Sequence, residues 1–298
     1  MCVLCVGAAV MDITASPIPE QKDWKQKQRI KNITIRTGGD AANQAAHLAD
    51  LGLHPMLCAC VGGDANGEML KAAMSARGVD VSFIRTKADM STGTALVLVG
   101  AEGERTIFSA RGAHSVISRE DLPEQIPDGV RAISLASLFS MPLLEENGLK
   151  AFLAQARDKR IPVFADLLTD VQKKGLPWIE PFLPLIDYFL PSLYEAEELT
   201  GKQGEEACAA FLRGKGCGNV IIKCGARGCY VDSPSFTGHV AALKVEPVDT
   251  TGAGDCMVAF FIARTLLGDD METACRRACE AASRSTLQPG AACRILLD

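Results

Sequence analysis

Apolar positions along the chain fall into two periods. Short runs rich in β-branched and aliphatic residues, at 3–10, 55–61, 132–136, 162–165, 188–190, 220–223 and 228–231, predict strands. Between them apolar residues recur at helical spacing over about 41–51, 67–77, 149–158, 195–199, 205–215, 253–267 and 272–285. This alternation predicts an α/β fold with a mostly parallel central sheet covered by helices on both faces. Two regions break the rhythm. Residues 13–37 read as extended pieces around a polar loop, with strand-like alternation through Lys31-Asn-Ile-Thr-Ile-Arg36. Residues 92–110 hold two strand-like runs on either side of Gly100-Ala-Glu-Gly-Glu104, a hairpin signal. The two segments are expected to pair into a small β-sheet outside the main layer. It is either a lid that keeps water from a reaction or an ordinary surface hairpin. No repeat, low-complexity tract or linker interrupts the chain, so residues 1–298 read as a single domain.

Composition narrows the picture. Hydrophobic residues make up 48% of the chain, enough for a large core, while aromatics are only 5%. Abundant Ala and Gly point to closely packed helices and glycine-bearing loops. A formal net charge of −5 gives no electrostatic footprint for nucleic acid or anionic lipid. An anionic ligand would therefore need a locally positive site. The apolar start lacks a basic leader and is cut short by Asp12, so it reads as a strand and not a signal peptide. No apolar run approaches the roughly 18 residues of a membrane span, and a soluble, cytoplasmic protein is expected. The twelve cysteines read as small core residues and reduced thiols. Cys58/Cys60 and Cys275/Cys279 lack the second pair or nearby His that a zinc site needs.

The sharpest chemical signal is Asp249-Thr-Thr-Gly-Ala-Gly-Asp255, followed by an almost wholly apolar helical run. Gly252 and Gly254 allow a tight backbone turn. A buried helix starting there would offer free amides and its positive dipole end to a phosphate. Asp255 falls in the first turn, where it either caps the helix or takes a proton from an attacking hydroxyl. A second signal is Gly38-Gly-Asp-Ala-Ala-Asn-Gln-Ala-Ala-His. Gly38 and Gly39 bring the backbone close to something, and Asp40 could cap the helix that follows. Asn43 lies one turn in, where its amide serves neighbouring hydroxyls or an internal backbone bond. His47 is assigned no chemistry. A Walker-type phosphate loop, a G-x-G-x-x-G fingerprint, protein-kinase signatures and G-x-S-x-G are all absent.

Together the two segments resemble the signatures of the ribokinase-like, PfkB carbohydrate kinase family, in that family's order and separation. Pro191-Ser-Leu-Tyr-Glu-Ala-Glu-Glu-Leu-Thr-Gly201 and Ile221-Ile-Lys-Cys-Gly-Ala-Arg-Gly228 are similar to its intermediate motifs. The resemblance implies an α/β core with a small β lid, and ATP-dependent phosphorylation of a primary hydroxyl on a sugar or sugar acid. A nucleoside is the alternative acceptor, and a non-catalytic sugar sensor a more distant one. It further implies Asp255 as general base and Gly252, Ala253 and Gly254 as anion hole. Asp12, Gly38, Gly39 and Asn43 would hold sugar hydroxyls, with Asp40 at a position that varies with substrate. Lys223, Gly225 and Gly228 would face the nucleotide, and Glu195 would act near Mg²⁺ through water. Asp249 would belong to a monovalent-cation site, for instance for K⁺. Ser192 stands where the family usually has Asn, and Cys279 where an adenine-side Asn is frequent. Asp166 and Arg111 are candidates for substrate specificity, or alternatively a helix cap and an exposed charge. Relatives often dimerise through the lid, so a homodimer is expected.

Overall fold

The computed structural model describes residues 1–19, 25, 27, 29–100 and 104–295. In chain order its first strands are β1 (Cys2–Val6), β2 (Val10–Ser16), β3 (Asn32–Gly38), β4 (His54–Gly62), β5 (Ile84–Lys87), β6 (Thr94–Val99) and β7 (Arg105–Ala110). They are followed by β8 (Val130–Leu138), β9 (Val163–Leu167), β10 (Tyr188–Phe189), β11 (Asn219–Lys223), β12 (Cys229–Asp232) and β13 (Thr237–Val240). The α-helices are α1 (Asp40–Asp50), α2 (Ala65–Ala76), α3 (Pro142–Asn147), α4 (Leu149–Asp158), α5 (Leu176–Ile179), α6 (Leu193–Thr200), α7 (Glu205–Gly214), α8 (Ala253–Leu266) and α9 (Met271–Ser285).

The large sheet runs β13-β12-β11-β10-β9-β8-β1-β4-β5 and is parallel from β5 to β11, with β12 and β13 added antiparallel. Strand β1 is apolar on both faces because helices cover both. Val3 and Cys5 pack with α1, α2, α8 and α9, whereas Leu4 and Val6 pack with the α3–α7 side. Helix α1 carries Ala41, Ala42, Ala45 and Ala46 fully buried, so its backbone approaches its neighbours closely. Helix α8 is buried around its whole circumference from Cys256 to Ala263. Its Phe261 meets Phe164 and Tyr188 edge-on, and those two rings stack at 4.4 Å. These contacts seat α8 against β9 and β10.

The small sheet runs β3-β2-β6-β7 and contains the predicted hairpin as β6 and β7. Its register sets Ile35, Ile13, Leu96 and Phe108 side by side in one row. Ile33, Ile35, Ile107 and Phe108 are exposed. The hairpin tip, residues 101–103, and much of the 20–28 loop lie outside the described residues.

Three expectations need correction. The 3–10 run is not one strand: β1 ends at Val6, and Val10 already belongs to the small sheet. Gly7 forces the break, since a Cβ there would sit 2.4 Å from the Ala136 carbonyl oxygen. Edge strands β5 and β13 were not expected, because each buries a single residue and so leaves no hydrophobic period. Asp40 does not cap α1. Gly39 occupies the cap position, and Asp40 is the first helical residue.

Candidate active site

The chain enters α8 through Gly252, which adopts φ 74°. An added Cβ would lie 2.0 Å from the Ala291 carbonyl oxygen, so only glycine fits. The Ala253 amide donates to the Thr250 carbonyl at 3.3 Å, and that of Cys256 to Gly252 at 2.9 Å. Among the described residues, the amides of Gly252, Gly254 and Asp255 have no acceptor. Two of the three residues expected at the anion hole, Gly252 and Gly254, thus keep free amides. Ala253 turns its N–H back into the protein, and Asp255 offers its own.

The Asp255 side chain is buried, and its carboxylate accepts Asn43 Nδ2 at 2.8 Å and Gln44 Nε2 at 3.2 Å. Gln44 is oriented in turn by Ser134, whose hydroxyl donates to its Oε1 at 2.5 Å. Burial pushes the Asp255 carboxyl up to about 7, assisted by the charge of Asp166 and opposed by the Asn43 bond and Lys223. A carboxyl titrating near neutrality is suited to accept a proton in a reaction at neutral pH.

Lys223 closes the other side. Its Nζ lies 3.6 Å from where a Cβ on Gly254 would be, and 2.5 Å from Asp166 Oδ2. Burial alone would lower the lysine's pKa, but Asp166 and Glu195 overcome that and hold it charged. Asp166 is therefore neither a helix cap nor an exposed charge. It is the buried counter-ion of Lys223. Ser192 and Glu195 form a capping box at the start of α6, with Ser192 N donating to Glu195 Oε2 at 2.8 Å. Asp40 accepts the Ser137 hydroxyl at 3.3 Å. Burial raises its pKa well above the usual carboxylate range, and Asp255 and Asp166 raise it further.

These groups share one cavity of about 650 Å³. Asp40, Asp166, Lys223 and residues 252–255 form its polar end. Leu243, Val245, Pro247, Cys279 and Ala282 form its apolar end, and Ser192, Glu195, Gly225 and Gly228 lie along its wall. A flat apolar slot leading to free amides and an ammonium can hold a nucleoside triphosphate. Gly228, at φ 94°, leaves no room for a side chain because a Cβ would meet the Val240 oxygen at 2.0 Å. Cys279 presents a thiol that touches Cys229 Sγ at 3.7 Å, and all twelve cysteines are free. Among the described residues, no three His, Cys, Asp or Glu side chains cluster as a metal cage. No helix among them is long and apolar enough to cross a membrane.

Other predicted residues stand beside the cavity or away from it. Asp12 packs on Gly38, where a Cβ would fall 2.2 Å from its Oδ2. Gly39, at φ 89°, lies against Ala8. Asn43 does not line the cavity and bonds Asp255, which does. Asp249 accepts the amides of Thr251 and Gly290, both at 2.9 Å, and so ties the glycine turn to the C-terminal segment. That segment is held from the small sheet as well, by Arg36 Nη1 donating to the Pro289 carbonyl at 2.7 Å. Arg111 is exposed and does not line this cavity. Sequence reasoning missed Gln44, Ser134 and Ser137. All three are polar and buried, and Ser134 and Ser137 interrupt an otherwise apolar run, which was the available signal.

The mouse "Ribokinase" is 31% identical over 282 residues, covering 88% of this chain and 81% of its own. The "Aminoimidazole riboside kinase" of Salmonella typhimurium is 31% identical over 267 residues, covering 86% and 78%. Arabidopsis thaliana ribokinase complexed with ribose and ATP superposes with a TM-score of 0.78 at 25% identity, covering 97% of this chain and 93% of its own. The profile of the pfkB family carbohydrate kinases matches residues 2–295, and the chain belongs to that family.

Proposed function

We propose that the chain transfers the γ-phosphoryl group of ATP to a primary hydroxyl of a sugar-type polyol, with Asp255 as general base. The observation that carries this reading is a buried carboxyl titrating near neutrality beside three amides without acceptors. Asp255 would take the proton as the hydroxyl oxygen attacks phosphorus. The amides of Gly252, Gly254 and Asp255, together with Lys223, would face the charge spreading over the transferred oxygens. Mg²⁺ arriving with the nucleotide would neutralise its phosphates, and the second carboxylate oxygen of Glu195 could hold one of its waters. The small sheet would act as a lid, carrying Asp12 to the acceptor. Its exposed apolar face supports a homodimer built across it; light scattering showing only monomer would reject the dimer.

The resemblance also brings K⁺ to the turn at Asp249. Both oxygens of that side chain already accept amides, so backbone carbonyls would supply the ligands. A turnover rate unchanged in K⁺-free buffer removes the cation from the site. Kinship to an aminoimidazole riboside kinase favours a second reading, a nucleoside as acceptor. A screen with Mg-ATP against sugar and nucleoside panels separates the two. Asp255→Asn is expected to lower kcat by roughly 10²–10⁴-fold with little change in substrate KM. Near-wild-type turnover would remove Asp255 from its role.

A further inference from the structure

We propose that Ser134 is a positioning residue for the base: its hydroxyl fixes which way round the Gln44 amide faces, and so holds Asp255 as an ionised proton acceptor. This rests on the kinase reading above and adds to it a residue outside the cavity wall. Ser134 lies inside β8, in register with Cys5 of β1 and Phe164 of β9, and is fully buried between the apolar Ile133 and Leu135. A hydroxyl left unbonded in such surroundings is costly. This one donates to Gln44 Oε1, 90 residues earlier in the chain.

The bond is directional. A primary amide has one end that only accepts and one that only donates. Gln44 is fully buried, so neither end can turn to water. With Ser134 donating to Oε1, Nε2 faces Asp255 Oδ1 at 3.2 Å. Turned the other way, Oε1 would confront the carboxylate, an arrangement that suits only the protonated acid. Ser134 would then become the acceptor, and its own proton would lose the partner it now has. Asn43 does not set this choice. It holds the other oxygen, Oδ2, at 2.8 Å, and its Oδ1 has no partner among the described residues.

The Gln44 bond pulls the Asp255 carboxyl down against the effect of burial. Three other titratable groups face Asp255: Asp40 of α1, Asp166 of β9 and Lys223 of β11. None of them bonds Ser134, so a change of titration in Ser134 variants reports the amide.

The test uses the full chain with Mg-ATP and the best acceptor from the sugar and nucleoside panels. Ser134→Ala should move the acid limb of kcat up by about one pH unit, the worth of one hydrogen bond to a charged group. Turnover should then fall about fivefold at pH 7 and recover at pH 9, with the ATP KM unchanged. Ser134→Cys, which keeps the volume and weakens the donor, should shift the limb the same way, and Ser134→Thr, which keeps the hydroxyl, should restore it. In a Gln44→Ala background, Ser134→Ala should shift the limb no further, because the two act as one chain. A loss that is equal at every pH, or shifts that add in the double variant, overturns this inference and leaves the kinase reading intact. No turnover of the wild type with any acceptor overturns both.

Discussion

The two sides of Asp255 are built from different materials. The proposed donor side is mostly backbone: amides at the mouth of α8, glycines that let the turn close, and one lysine. The proposed acceptor side is made of side chains: Asp12, Asn43 bonded to Asp255, and Asp40 bonded by Ser137, while Gln44 and Ser134 steady Asp255 itself. On the proposed reading the backbone site would hold what every reaction of this kind shares, a phosphoryl group. A side-chain site can vary with the acceptor without disturbing the turn. The difference teaches that changes on the donor side should abolish chemistry, whereas changes on the acceptor side should retune it.

The largest effect is expected from Gly252→Ala. The new methyl would collide with the Ala291 oxygen in a backbone conformation that disfavours any side chain. Turnover should fall at least 10³-fold, near the loss of more than one anion-hole donor. Lys223→Met comes next, because it leaves Asp166 buried without its counter-ion. A kcat loss of about 10²-fold is expected, with a stability loss of about 3 kcal/mol read by denaturant melts at pH 7. Retained stability would show that Asp166 simply takes up a proton.

The pH profile sharpens the same contrast. As the proposed base Asp255 must be ionised to act, so kcat should rise as pH increases through about 7. The Gln44 bond favours the ionised form, so Gln44→Ala should move that limb to higher pH. A limb that stays in place assigns it to another group. The stability consequence has the opposite sign. Because folding raises the Asp255 pKa above its ordinary value, stability present at acid pH is lost as pH rises toward 7. Asp255→Asn should lack that loss and melt higher than wild type at pH 8. The smallest catalytic effect belongs to Ile35→Ser with Phe108→Ser on the small sheet. Turnover should change little, while any dimer seen by light scattering should dissociate.

Legibility followed the same division. The donor side could be read in the sequence because backbone conformation demands glycine at fixed spacing, and Asp249-Thr-Thr-Gly-Ala-Gly-Asp255 declares it. The large sheet was legible because strands covered on both faces become continuous apolar runs. Asp166 was picked out by residue type, but its partner was not, since Lys223 is 57 residues away and only the sheet order brings them together. The two readings of Arg111 stayed open because a charge next to a lid strand says nothing about which way it faces. Ser137 was hidden in a strand. Nothing local predicts that residues with positive φ, Ser137 and Phe139, close the end of β8.

The segment behind Gly252 carries a consequence of its own. Pro289 is gripped by Arg36 of β3, the Gly290 amide reaches Asp249, and Ala291 backs the glycine turn. The curvature of the phosphate loop is thus borrowed from a stretch of coil about forty residues downstream in the chain, and that coil is moored to the small sheet. Transient detachment of this mooring would slacken the loop long before the core melts. Amide exchange at Gly252 and Gly254 should then follow the opening of this coil, and not global unfolding.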